Sequence, residues 1–274
     1  MTPQVPSGPR HSFRFSLPPS LGNQTARERA ERLVAFLQRA LGKLVEVSVA
    51  PSYETLAKDL LSGRADAAWA PPFVCARMEA MGVRVVVRGV RRGMSSYRAA
   101  LVCRSGAGLN LDRLKGTTAS WVDRDSVAGY LLPTAYLKAQ GLEPSRAFFA
   151  QHFTGSYRGV LEAVLDGKAD VTSVFCPPAS TGLTFATGVE DVLGAGAGRR
   201  FELIAYTDEV PNDGVPVAMG LPPELVGRLE ATLLGLQSSD EGRLLLKDIF
   251  NADRFAPAPP MGYRALYRVA LASL

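Results

Sequence analysis

Apolar and polar positions alternate at two periods along this chain. At 24–41, Leu33, Phe36, Leu37 and Ala40 fall at helical spacing and Gly42 follows as a stop. Strand-like alternation precedes this helix at 11–17 and follows it at 44–49. Ser52 is placed to cap a helix over 53–61. A short apolar strand is expected at 67–70, and Pro72 can open a helix ending near Met81-Gly82. Two strands, 83–90 and 97–103, flank an Arg-Gly turn. This βαβαββ order predicts an open α/β sheet with parallel neighbours.

The small residues at 105–108 then mark a candidate crossing between lobes. Beyond them come a short helix at 109–115 and a strand at 117–121. A helix starts at Asp125-Ser126 and runs to about 140, with Gly141 as its stop. A strand at 147–153, a helix at 156–165 and a strand at 171–175 follow. The strand at 201–206 is read as the return crossing, and helices at 222–236, 241–250 and 262–271 end the chain.

One passage is written twice. Ser52-Tyr53 leads through Leu56, Leu60 and Leu61 to Gly63-Arg64-Ala65-Asp66. Ser156-Tyr157 leads through Val160, Val164 and Leu165 to Gly167-Lys168-Ala169-Asp170, at a constant offset of 104 residues. Each passage ends in a proline pair, Pro71-Pro72 and Pro177-Pro178. Gly63 and Gly167 stand where a helix needs a left-handed exit. The repeat predicts two related lobes, and two lobes make a cleft with a tyrosine from each side.

Composition narrows the function classes. The chain has 274 residues, 47% of them hydrophobic, enough to bury a real core. The net charge of +5 is scattered. Arg27, Arg29 and Arg32 alternate with Glu28 and Glu31, and the densest run is Arg84, Arg88, Arg91 and Arg92. Nucleic-acid binding needs a basic stripe with interleaved aromatics, which is missing. No apolar run is long enough to span a bilayer. Positions 1–9 are polar and Pro-rich without an apolar signal-peptide core, so the chain either stays in the cytoplasm or has lost a targeting segment. Cys75, Cys103 and Cys176 lie far apart, form no metal pattern and read as buried apolar fillers.

Several motifs together resemble the phosphate/phosphite/phosphonate solute-binding proteins of ABC transporters. Trp69-Ala70-Pro71-Pro72, after Gly-Arg-Ala-Asp-Ala-Ala, resembles the family's Gly-x-x-Asp-x-x-Trp-x-x-Pro. The run from Asp123 to Pro133 resembles its Asp-x-x-Ser-Thr-Ser-Gly-x-x-x-Pro. Gly155-Ser156-Tyr157 stands where the family has Gly-Ser-His, and Pro211-Asn212-Asp213-Gly214 resembles its Pro-x-Asp-Pro turn. The matches fall in order over roughly 12–250. They imply a two-lobed type II periplasmic-binding-protein-like fold, with two open α/β sheets joined by two crossing strands and the ligand in the cleft. Lobe 1 is then 11–104 and 206–274, and lobe 2 is 105–205. Hinges are expected near 103–106 and 203–207.

The resemblance implies a ligand site at Tyr53, Tyr97, Ser126, Val127, Ala128, Tyr157 and Asp213. Trp121 is added as a further aromatic face. The first N–H groups of a helix lack internal partners and carry the positive end of its dipole, so 126–128 can receive an anion. Tyr53 and Tyr97 match ligand-contacting positions of the family, and Asp213 stands where the family turns a carboxylate toward a ligand amine. Two departures matter. The family's hydroxyl triplet is Ser126-Val127-Ala128 here, and its His is Tyr157, which cannot become cationic. The expected ligand is therefore a less highly charged anion or an aromatic-bearing one, not a simple phosphonate.

A binding protein that needs no metal or cofactor is the leading expectation, with an ABC permease as partner, a monomeric state and, by resemblance, a periplasmic location. A cytosolic ligand sensor is the alternative. An enzyme on the same fold, such as those acting in menaquinone synthesis, is the less favoured third reading. His11 and His152 sit in no triad-like context. Cys176 reads as an inert buried thiol, and Asp123 and Asp125 as capping and loop residues.

Overall fold

The 104-residue offset in the sequence is also an offset in hydrogen-bond register. The computed structural model describes residues 12–19, 26–124, 126–258 and 262–267. His11, Asp125, the start at 1–9, positions 24–25 of the first helix and 268–271 of the last fall outside these residues. Contacts divide the chain into two units: positions up to Ser95 together with those from Pro211 on, and Ser96–Val210.

The first unit begins β1 (Ser12–Leu17), α1 (Ala26–Leu41), β2 (Leu44–Val49), α2 (Tyr53–Leu61), β3 (Ala67–Ala68), α3 (Pro72–Ala80) and β4 (Arg84–Val90). The second holds β5 (Ser96–Arg104), β6 (Thr118–Trp121), a π-turn (Val127–Leu131) running into α4 (Leu132–Ala139), α5 (Pro144–Ala147), β7 (Ala150–Phe153), α6 (Tyr157–Leu165), β8 (Val171–Cys176), α7 (Phe185–Leu193) and β9 (Phe201–Tyr206). The short β10 (Val210–Pro211) brings the chain back. It is followed by β11 (Gly214–Val217), α8 (Pro223–Gly235), α9 (Asp240–Leu245) and β12 (Arg254–Pro257).

β1 lies between β2 and β3, parallel to both, and β6 lies likewise between β7 and β8. Arg14 faces Glu46 and Phe15 faces Ala67; 104 residues later Thr118 faces Ala150 and Ala119 faces Val171. One device fixes this register in both units. The Asp66 N–H donates to the Arg14 carbonyl at 2.8 Å, and the Arg14 N–H donates back to the Asp66 carboxylate at 2.8 Å. Asp170 and Thr118 make the same pair of bonds, at 2.8 Å and 2.7 Å. The carboxylate thus extends the ladder where the third strand begins. The two hooks differ in setting: Asp66 is only 2% exposed and has the Arg14 guanidinium beside it, whereas Asp170 is exposed. Just before each hook the helix exits through glycine, with φ of 66° at Gly63 and 72° at Gly167, the left-handed region costly for other residues.

The sheet of the first unit has the order β12-β4-β11-β3-β1-β2, with β11 antiparallel to both β3 and β4. The expected run of parallel neighbours therefore ends at β3. On α1, Leu33, Leu37 and Leu41 at i, i+4 and i+8 are fully buried among residues of α8, the 240–250 helix and β12. Each such leucine contributes about 2 kcal/mol. The C-terminal helices thus complete the core of the first unit.

In the second unit β5 pairs antiparallel with β8 and β9. Residues 96–104, read from sequence as the end of the first lobe, belong here because their backbone groups are spent on β8 and β9. The expected hinges at 103–106 and 203–207 are largely corrected for the same reason. Cys103 pairs with Glu202 and Leu101 with Ala205, and the Glu202 carboxylate takes the N–H groups of Gly106 and Gly108. Bending there would break a paired ladder. α4 and α6 pack in different core clusters, one with Trp121 and Leu137, the other with Val160 and Val164.

The two hooks make a paired prediction. Asp66→Ala should cost about 3 kcal/mol because it strands a strand-end N–H and an arginine, and Asp170→Ala about 1 kcal/mol. Urea unfolding monitored by circular dichroism measures both; equal losses would show that the buried setting of Asp66 contributes nothing.

Candidate functional site

A parallel strand order that reverses direction leaves a crevice at the carboxyl ends of the strands, where loops diverge to opposite faces. Each unit has one, because in each the chain steps to one side of the first strand and then crosses to the other. The loops after β6 and β7 line this edge in the second unit. In the first, the loop after β2 does so and carries Ser52 and Tyr53.

The β6 loop turns at Asp123, whose carbonyl takes the Ser126 N–H at 3.3 Å. Ser126 is extended (φ −71°, ψ 115°) and its Oγ accepts the Gly129 N–H at 3.2 Å. The following turn is wide: the N–H groups of Tyr130 and Leu131 both reach the Ser126 carbonyl at 3.0 Å. The N–H groups of Val127 and Ala128 find no acceptor among the described residues. Two contacts hold the turn against the sheet. The Ser173 hydroxyl donates to the Ala128 carbonyl at 2.7 Å. A Cβ on Gly129 would stand 2.5 Å from Val122 Cγ2 and 2.7 Å from Ser126 Oγ, so only glycine lets the helix end approach this closely.

The β7 loop is drawn to the same edge by Thr154 N–H to the Trp121 carbonyl at 3.0 Å and Gly155 N–H to the Val122 carbonyl at 2.8 Å. Ser156 then caps α6 by accepting the Gly159 N–H at 3.1 Å. Tyr157, the first residue of α6, is half-buried, with its phenol near enough to Ser126 and Asp123 to feel both. Burial first, and then the nearby Asp123 carboxylate, push the Tyr157 phenol above its ordinary value, while the Ser126 hydroxyl works the other way. Tyr157 is therefore a neutral donor at physiological pH.

The expected residues thus fall into distinct groups. Ser126, Val127, Ala128 and Tyr157 come together in the second unit. Tyr53 stands at the equivalent point of the first unit, half-buried behind Ser52, whose Oγ accepts the Thr55 N–H at 3.1 Å. Tyr97 is 7% exposed on β5 with its ring 5.3 Å from Phe175, a packing position. Trp121 is corrected: it is fully buried, its indole N–H donates to Gln151 Oε1 at 2.9 Å, and Tyr130 and Phe148 cover it edge-on. Asp213 is corrected too, because its carboxylate is ion-paired with Arg91, which also donates to the Asn251 carbonyl at 2.6 Å. A carboxylate already neutralised is a weak lure for a ligand amine.

Sequence reasoning did not single out Arg124, whose guanidinium lies 4.8 Å from the Phe153 ring centroid on the rim of the β6 loop. An arginine two residues before a helix-capping serine was the available signal. All three cysteines are buried thiols, and burial pushes each above its ordinary value, Cys103 to about 11. None is a ready nucleophile. No group of side chains among the described residues could hold a metal ion, and no described helix is long and apolar enough to cross a membrane.

A family model described as ABC transporter, phosphonate, periplasmic substrate-binding protein matches residues 15–263. Solved structures share the fold. XAC2383 from Xanthomonas citri bound to ATP is 20% identical, with 96% of each chain covered and a TM-score of 0.76. PhnD1 from Prochlorococcus marinus MIT 9301, in complex with methylphosphonate, is 19% identical over 96% of this chain and 98% of its own, with a TM-score of 0.66. A binding protein component of an ABC phosphonate transporter from Pseudomonas aeruginosa, PA3383, is 18% identical over 95% and 86%, with a TM-score of 0.64.

The Tyr157 environment makes a spectroscopic prediction. In an alkaline absorbance titration, Tyr157→Phe should remove a phenol that ionises above the ordinary value of 10. The unfolded phenol ionises first, so the stability tied to this group is intact below its unfolded value and is lost as pH rises through the folded one. Loss of an ordinary, early-titrating phenol instead would contradict the buried placement.

Proposed function

The chain belongs to the phosphonate-type periplasmic substrate-binding proteins of ABC transporters, a family of binding proteins and not of enzymes, and we propose that it takes a singly charged oxyanion rather than a phosphonate dianion. The observation that carries this reading is that the donors at this helix start are peptide N–H groups and hydroxyls, with the neutral Tyr157 phenol near Ser126 and Asp123. Ser126 already accepts the Gly129 N–H. Of the two hydroxyls, the Tyr157 phenol is the one we count as a donor given outward. With the Val127 and Ala128 N–H groups, that makes three donors in this unit, a set suited to one carboxylate or sulfonate head. A dianion would leave lone pairs unmatched, at a cost of several kcal/mol when buried. Asp123, close enough to raise the Tyr157 phenol, adds repulsion against a second negative charge.

Tyr53 is the contribution we assign to the first unit, with its phenol as donor and its ring as an apolar face. Tyr97 contributes through packing, and Asp213 is given no ligand role. Delivery to an ABC permease from the periplasm is the role that family membership favours. A cytosolic sensor on the same fold is the alternative, and fractionation of host cells separates the two.

Isothermal titration with methanesulfonate, benzoate, methylphosphonate and ATP tests the ligand class. The first two should bind more tightly than methylphosphonate. Their affinity should stay flat between about pH 6 and 8.5, because the site has no histidine to titrate there. Ser126→Ala and Tyr157→Phe should each weaken binding about tenfold, the loss of one hydrogen bond to a charged group. Submicromolar affinity for methylphosphonate, or tight binding of ATP, would overturn the monoanion reading.

A further inference from the structure

The turn that leads from α2 into β3 is built a second time between α6 and β8. In the first unit the Gly63 N–H donates to the Leu60 carbonyl at 3.1 Å and the Ala65 N–H to the Asp59 carbonyl at 3.0 Å. In the second the Gly167 N–H donates to the Val164 carbonyl at 3.2 Å and the Ala169 N–H to the Ala163 carbonyl at 3.1 Å. Both turns end in an aspartate hook. In the first unit, the glycine carbonyl and the aspartate carboxylate share one cation. Arg14 Nη2 donates to the Gly63 carbonyl at 2.6 Å, and the same guanidinium lies 3.5 Å from both Asp66 oxygens. The residue 104 positions after Arg14 is Thr118, which brings no charge.

The second copy of the turn therefore keeps its acceptors. Among the described residues, nothing donates to the Gly167 carbonyl, and the Asp170 carboxylate is met by the Thr118 N–H alone. Lys168 stands between them in sequence, but its ammonium pairs with Asp166 at 3.0 Å. Gly167 and Asp170 line a pocket of about 240 Å³ that lies wholly in the second unit. It opens at the strand ends opposite to Ser126. Its volume is below that of sites for drug-sized molecules and suits a small one.

The other walls supply the rest of a site. Buried Val164 and Ala169, with half-buried Leu109, form an apolar side. Arg104 and Ser105 complete the lining. Arg104 is the last residue of β5, and no carboxylate among the described residues pairs with its guanidinium. This rim is tied down from behind. The Ser105 N–H donates to the Arg200 carbonyl at 2.8 Å, and the Glu202 carboxylate takes the Gly106 and Gly108 N–H groups at 3.1 and 2.5 Å. A rim held in this way loses little freedom when a ligand arrives.

We propose that this pocket is a second binding site, for a small guanidino acid. The guanidinium of the ligand takes the place that Arg14 takes in the first unit, donating to the Gly167 carbonyl and the Asp170 carboxylate. Its planar fork matches two acceptors, which an ammonium does less well. The carboxylate of the ligand meets the Arg104 guanidinium and the Ser105 hydroxyl, and its methylene chain lies on Val164 and Ala169. None of these residues belongs to the Ser126 edge, so the site stands or falls independently of the oxyanion reading.

Amide shifts of the full chain in nitrogen-edited NMR spectra test the site, with 4-guanidinobutyrate as probe and butylguanidine as its carboxylate-free counterpart. 4-Guanidinobutyrate should shift Gly106, Gly167 and Ala169 and bind about fivefold more tightly than butylguanidine. Asp170→Asn leaves an oxygen for the Thr118 N–H but removes the charge, and should weaken both probes about tenfold. Arg104→Gln should lower the affinity for 4-guanidinobutyrate to that for butylguanidine. Thr118→Arg, which gives the second unit the cation of the first, should abolish binding of both probes and raise the urea midpoint. Should Thr118→Arg fail to fold, Asp170→Asn and Arg104→Gln decide. Three results overturn the site: no shifts at about 20 mM probe, shifts confined to Val127 and Ala128, or parental affinity in Asp170→Asn. Equal binding of the two probes by the parent protein overturns the guanidino-acid assignment.

Discussion

The carboxylate hook at the start of each third strand is the constraint on which the rest depends. A peptide group at the end of a ladder has no neighbour to satisfy it, and leaving it buried and unpaired is expensive. Asp66 and Asp170 supply that neighbour and return their own N–H to the same residue. A slip by one position would break both bonds and turn every side chain of the strand to the wrong face. Once the register is fixed, so are the ends of the strands, and with them the helix starts at Tyr53, Val127 and Tyr157. The helix starts of each unit are thus consequences of a bond made at the opposite end of the strands.

On the reading proposed above, the same geometry suits the second unit to modest charge. Its binding edge offers peptide N–H groups and hydroxyls, fixed dipoles that need no reorganisation to meet an anion. It offers no histidine, and the carboxylate of Asp123 lies nearby. Tyr157 takes the place of a cation with a donor whose charge does not change at physiological pH. A site of this kind gains directionality from its hydrogen bonds, with Arg124 on the rim of the β6 loop as a nearby positive group.

Much of this was legible in the sequence where a local signal and a long-range need coincided. The 44–49 strand, the 53–61 helix with its Ser52 cap and the 201–206 strand stand where periodicity and capping chemistry put them. The repeat Gly-basic-Ala-Asp was visible as a string, but its aspartate was given no role because its partner lies 52 residues away. Long-range pairing also hid the membership of 96–104, which nothing local distinguishes from the strand before it. Helix 185–193 and strands 214–217 and 254–257 went unread. The helix packs Gly188 onto the backbone of Phe175, a contact no periodicity encodes, and the strands are too short for alternation to be seen. At the site, the aromatic character of Trp121 and the charge of Asp213 were plain, but not that Gln151, Tyr130 and Arg91 occupy them.

The first unit is discontinuous, and that bears on how the molecule is made. Its buried α1 leucines pack against α8, the 240–250 helix and β12, all of which are encoded after residue 210. During synthesis from the N-terminus, the second unit is complete while the first still lacks a wall of its core. Leu33, Leu37 and Leu41 lack that cover until the segments after residue 210 have been made. The inserted unit can therefore fold first and the enclosing one last, so the time during which the segments after residue 210 are being made is when the core of the first unit is most exposed to aggregation.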